Sequence, residues 1–93
     1  MELKQSNKFI EKAAHALSDK CRLAIVQEIA ARGSLLLADA QEMTELSQPC
    51  VSHHVKVLTD SDLVLAVKEG RSVRLSINKN RMKELSQFVV GLI

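Results

Sequence analysis

The spacing of apolar residues changes twice along this chain, and that constrains the fold more than any other feature. Up to about residue 61 they recur three and four positions apart, as on one face of a helix. From Leu63 to Val67, and again from Val73 to Ile77, they alternate, and Glu69-Gly70-Arg71 between the two runs marks a β-hairpin. After Asn78 the helical spacing returns. A chain with this order is mainly α with a small β-hairpin. No linker, repeat or low-complexity stretch interrupts the 93 residues, so residues 1–93 read as a single domain. Folding at this size hides only ~60% of the unfolded chain's surface, and self-association is the expected way to complete so thin a core.

Local signals place the elements. Ser6 is expected to cap a helix over residues 7–17, with Phe9, Ile10, Ala13, Ala14 and Leu17 in one stripe. Ser18 or Asp19 caps a second helix to residue 32, where Leu23, Ile25, Val26, Ile29 and Ala30 form an arc broad enough to predict a central, buried helix. Gly33 ends it at a backbone angle that glycine tolerates. The three leucines Leu35, Leu36 and Leu37 suit a short strand before a helix over about residues 37–44. Ser47 caps the next helix, to about residue 61, with Val51, Val55 and Leu58 pointing inward. Its opposite face carries Pro49, Ser52, His53 and Lys56 at i, i+3, i+4 and i+7, with Gln48 at the tip.

Parity decides the hairpin register. A two-residue turn at Gly70-Arg71 sets Leu65 and Val67 opposite Ser76 and Arg74. A three-residue loop centred on Gly70 pairs Leu63 with Ile77, Leu65 with Leu75 and Val67 with Val73, and this apolar pairing is the expected one. Asn78 caps the last helix, where Met82, Leu85, Val89 and Leu92 fall at a/d-like spacing and Phe88, Val90 and Ile93 add a second strip. This face, together with Phe9, Ile10 and Leu17, predicts a homodimer built from the first and last helices.

Charge and composition narrow the function. The net charge is +2, yet residues 68–83 hold six Lys or Arg against Glu69 alone, a local +5 that leaves −3 for the rest. Phe9 and Phe88 are the only aromatics beyond histidine, so there is no stacking platform for single-stranded nucleic acid, and a nucleic-acid partner is expected to be a duplex. No glycine-rich phosphate loop, Gly-x-Ser-x-Gly elbow or His-Glu-x-x-His helix is present, so neither catalytic residues nor a cofactor are expected. The apolar run at 88–93 is far short of the ~20 residues of a membrane span, and residues 1–4 lack the apolar core of a signal peptide. A cytoplasmic protein without a membrane partner is the expectation.

The motifs resemble a known family. Leu46-Ser47-Gln48-Pro49-Cys50-Val51-Ser52-His53-His54-Val55-Lys56-Val57-Leu58, followed by Leu63-Val64 and Glu69-Gly70-Arg71, is similar to the bacterial ArsR/SmtB repressors, and residues 16–23 resemble the start of their second helix. The likeness spans about residues 16–77. It implies a winged helix-turn-helix of order α-α-α-α-β-β-α, dimeric, in which the helix after Ser47 reads the major groove and the hairpin is a wing over the flanking backbone. Carried onto this chain, Gln48, Pro49, Ser52, His53 and Lys56 contact a double-stranded DNA operator, and Lys68, Arg71 and Arg74 meet phosphate or the minor groove. The implied dimer interface comprises Phe9, Ile10, Leu17, Met82, Leu85, Phe88, Val89 and Leu92.

Departures from the family pattern bear on the signal. Where many members carry a Cys-x-Cys metal site in the third helix, this chain has Leu36, Leu37 and Ala38. The segment 79–93, where others place Asp, His and Glu ligands, contains no His or Asp and only Glu84. No metal is expected at either place. Glu45 stands where the family often has glycine, so the backbone there avoids positive φ or carries strain. Cys21 and Cys50 each lie near a helix N-terminus, where the dipole favours a negative group, and Lys20 and Arg22 flank the first. Both are candidates for a thiol-based redox or metal response, against the plainer reading that they are packing residues. His54, one position past the exposed stripe, is expected to be a satisfied, half-buried histidine, and His15 a surface residue. A winged helix that binds protein rather than DNA is the alternative, and the basic wing argues against it.

Overall fold

The computed structural model describes residues 7–93, so the expected Ser6 cap lies outside the described residues. Helix α1 (Lys8–Leu17) begins after Asn7, whose side chain makes no cap bond. Helix α2 (Lys20–Arg32) starts at Asp19, whose Oδ2 accepts the backbone N–H groups of Cys21 and Arg22 at 2.9 and 3.0 Å. It ends at Gly33 with φ 87°. The two-residue strand β1 (Leu35–Leu36) runs directly into α3 (Leu37–Thr44), as the leucine run suggested. Helix α4 (Gln48–Asp60) is capped by Ser47, which accepts from the Cys50 N–H. Strands β2 (Val64–Glu69) and β3 (Ser72–Ile77) precede α5 (Lys79–Val90), whose N-cap Asn78 accepts from the Arg81 N–H at 3.3 Å.

The three strands form an antiparallel sheet of order β1-β3-β2, so β1 adds a third strand to the predicted hairpin. The central β3 carries the fully buried Leu75, and around it Ile25, Ile29, Leu35, Val51, Leu58, Leu63 and Val64 complete the core. Val51, Val55 and Leu58 turn inward from α4 as their spacing required. The turn between α3 and α4 does carry positive φ on a residue other than glycine. Glu45 sits at φ 57°, ψ 18°, and its N–H closes α3 onto the Gln41 carbonyl at 3.0 Å.

Two expectations are corrected. The hairpin uses the two-residue turn at Gly70-Arg71, pairing Leu65 with Ser76, Ala66 with Leu75, Val67 with Arg74 and Lys68 with Val73. Gly70 adopts φ 63° while Arg71 does not turn positive, the sign pattern of a II′ hairpin. Strand β2 has apolar residues at both parities, and the sheet buries Val64 beside Ile77 and leaves Leu65 and Val67 on the outer face, 46% and 56% exposed. The second correction concerns α2. Leu23 and Ala30 face solvent, and the buried stripe is instead Arg22, Ile25, Val26 and Ile29.

Candidate nucleic-acid interface

Pro at the first turn of α4 removes an N–H that has no partner there, and Ser47 satisfies another, so the helix starts sharply and its first two turns are rigidly aimed. Gln48, Pro49, Ser52, His53 and Lys56 are all exposed on that outward face. Lys56 lies 3.4 Å from Asp60 in an exposed i,i+4 pair, which holds the ammonium along the helix without neutralising the stripe above it. Gln48 and Ser52 share a cleft of about 190 Å³ with Arg71 at the wing tip and with Leu37 and Gln41 of α3. The cleft is polar on the helix side, basic at the wing and floored by apolar side chains.

The corrected register sorts the wing cations. Lys68 pairs with Val73, which lines the cleft, and by strand alternation the Lys68 side chain leaves the sheet on that same face. Lys68 and Arg71 are exposed, and among the described residues neither is held in an ion pair. Arg74 projects from the opposite face, where its Nε meets Glu69 at 2.9 Å and its Nη1 donates to Ser34 at 3.0 Å. It ties the wing to the segment before β1.

The residues expected at a dimer interface divide into two sets. Leu17 and Met82 pack against the chain's own core. Phe9, Ile10 and Phe88 line a shallow groove between α1 and α5 with Arg81, whose guanidinium carbon sits 4.6 Å from the Phe9 ring centre and whose Nη1 reaches Glu84 at 2.7 Å. Leu85 is half-buried, while Val89 and Leu92 are 52% and 72% exposed. No residue of α5 is buried.

One cluster escaped the sequence reading. Arg22 is 7% exposed, and its Nε donates to the Ala16 carbonyl at 2.8 Å, its Nη2 to the His15 carbonyl at 3.2 Å and its Nη1 to His54 Nδ1 at 3.1 Å. The guanidinium thus closes the end of α1 and clamps α4 to it. The clue lay in the spacing: residue 22 precedes Ile25, Val26 and Ile29 by three, four and seven positions, which puts it on the buried face. The backbone N–H of Arg22, then that of Cys21, hold the Asp19 carboxyl below its ordinary range, with help from the charge of Arg22 and against the cost of burial. His54 is half-buried and satisfied, as expected. Cys21 is half-buried and Cys50 exposed, and both are free thiols.

Comparison with known proteins places this geometry. A helix-turn-helix domain profile matches residues 17–67. The arsenical resistance operon repressor of Bacillus subtilis is 31% identical over 75 residues, covering 81% of this chain and 71% of the repressor. An ArsR family transcriptional regulator of known crystal structure superposes with a TM-score of 0.85 at 20% identity, over 97% of this chain and 92% of the other. A homodimeric winged helix-turn-helix DNA-binding domain from Mycobacterium bovis gives 0.74 at 18% identity, over 99% and 89%.

Proposed function

Because this chain belongs to the ArsR family of winged helix-turn-helix repressors and is a DNA-binding transcriptional regulator, we propose that it acts as a cytoplasmic homodimer on a pseudo-palindromic duplex operator. The observation that carries this reading is the shared cleft of Gln48, Ser52 and Arg71. It puts groups that exchange hydrogen bonds with base edges beside a cation suited to phosphate. Pro49, His53 and Lys56 extend the reading face, and Lys68 supports the wing from the cleft side. Arg74 contributes by bracing the wing, with phosphate contact following if the Glu69 pair opens. The exposed apolar face of α5, with Phe9 and Ile10 of α1, supplies the dimer contact, in keeping with the homodimeric relative of the same fold. No catalytic residue has a part in this reading.

Selection from a random duplex pool tests it. The recovered sites are expected to contain two related half-sites about one helical turn, ~34 to 36 Å, or a multiple of it apart. Failure to retard any duplex at low salt, with the fold intact by circular dichroism, would leave a protein-binding winged helix instead.

A further inference from the structure

Asp19, Cys21 and His54 each bring one ligand atom to the junction of α2 and α4, and these three atoms lie within 4.8 Å of one another. We propose that this cluster is a site for a thiophilic divalent cation, of which Zn²⁺ is the fitting case. Neither metal position considered from the family pattern includes any of these residues, and 33 positions separate Cys21 from His54, so spacing alone does not reveal it.

The donor set suits the ion. One thiolate, one imidazole and one carboxylate are the ligand types Zn²⁺ takes, with a fourth position left for water. Tetrahedral bonds of ~2.0 to 2.3 Å put ligand atoms ~3.3 to 3.8 Å apart, so closing the cluster requires side-chain adjustments of about 1 Å. All three residues are half-exposed, which gives an ion a path in. The Asp19 carboxylate accepts two backbone bonds at Oδ2 and retains lone pairs for a cation. On ligation the Cys21 thiol releases its proton to solvent, and the two negative ligands then balance the 2+ ion, so the loaded centre is neutral where the empty one carries the single negative charge of Asp19, and its attraction for Arg22 is lost.

The site has a built-in competitor. His54 Nδ1 accepts from Arg22 Nη1 at 3.1 Å and stands 3.8 Å from Asp19 Oδ2. Arg22 can only donate, so a metal on Nδ1 replaces that bond, and Arg22 keeps its two α1 carbonyls. The clamp between α1 and the reading helix is thereby exchanged for one between the start of α2 and the same helix. His53, on the reading face, is the next residue along. Metal is therefore expected to weaken DNA binding, and this coupling rests on the DNA-binding reading, whereas metal binding itself does not.

The test uses the intact, tag-free chain, titrated with Co²⁺ as an optical probe and then Zn²⁺. One Co²⁺ per chain is expected to give a thiolate-to-metal absorption band that Zn²⁺ removes. Cys50→Ser should keep the band, Cys21→Ser and Cys21→Ala should lose it, and His54→Gln, which still offers Arg22 an acceptor, should weaken Zn²⁺ binding by about 100-fold. A band that survives in either Cys21 variant, or is lost in folded Cys50→Ser, overturns the site. Zn²⁺ should also lower the affinity of wild type for its selected duplex by about tenfold while leaving Cys21→Ser unaffected. Equal duplex affinity with and without bound Zn²⁺ overturns the coupling. Failure of metal-free protein to bind any duplex would count against the proposed function and not against the optical result.

Discussion

The helix-turn-helix half and the last helix place their apolar residues in opposite ways. From α2 to β3 the chain closes a core of its own, with Ile25, Leu58 and Leu75 wholly out of contact with water. Helix α5 has a comparable apolar endowment, yet it buries nothing completely and leaves Val89 and Val90, with Leu92 and Ile93 just beyond its end, mostly in solvent. The first region is finished, and its exposed polar groups include those proposed to meet DNA. The second is unfinished, and its apolar face is the one proposed for the dimer contact.

Substitutions in the two regions should separate sharply. Leu58→Ala removes a core side chain from a site that cannot collapse freely and is expected to cost ~2 to 5 kcal/mol in urea unfolding. Leu92→Ala, by contrast, should leave monomer stability almost unchanged. Equal losses at the two positions would break the comparison. Leu85→Asp is expected to cost several kcal/mol of dimer stability, because it buries a charge where Arg81, one turn earlier on α5, is already engaged by Glu84 and Asp62. Sedimentation should show a dimer at micromolar concentration for wild type and a monomer for the variant; a wild-type monomer at that concentration would sink the interface.

Within the finished half, the two sides of the cleft can be told apart. Ser52→Ala should weaken the selected operator by ~1 to 3 kcal/mol while sparing unrelated duplexes. Arg71→Ala should weaken all duplexes alike and reduce the salt slope by about one unit. If both variants lose equally on every sequence, the division between reading helix and wing is wrong.

The smallest effect concerns the Asp19 cap. Its folded carboxyl titrates below the ordinary 3.8, chiefly through the Arg22 backbone N–H, so the contribution of its charge is fully present above that value. It is lost as pH falls through the lower folded value. Asp19→Asn keeps a cap without the charge. Wild type should therefore be the more stable near neutrality, and the gap in urea midpoint should close as pH drops below about 3.8. A gap that is constant with pH would mean the charge contributes nothing.

These contrasts also explain what could be read in advance. Helix limits were legible because Asp19, Ser47 and Asn78 satisfy backbone groups locally, and the inward stripe of α4 because three residues share one period. The hairpin register was not, since β2 offers an apolar residue at either parity and only packing beneath the sheet decides between Val64 and Leu65. Arg22 was missed for a related reason. A charge on a buried face is stable only with partners, and the carbonyls of His15 and Ala16 and the ring of His54 meet it only once three helices have docked. The polar stripe of α4 was visible, whereas the cleft it shares with Arg71 depends on tertiary structure.

Strand β1 has a consequence for the order in which the molecule assembles. An isolated two-stranded hairpin is marginal in water, and here the third strand is two residues long and comes from far upstream, with Leu35 beside Leu75. Hairpins form in microseconds, but this one gains its lasting partner only after the intervening helices have closed a long loop. The wing is thus a late and conditional element, whose amide protons should exchange at a rate governed by the opening of the helical body. A lesion deep among the helices would then be felt first at the wing tip.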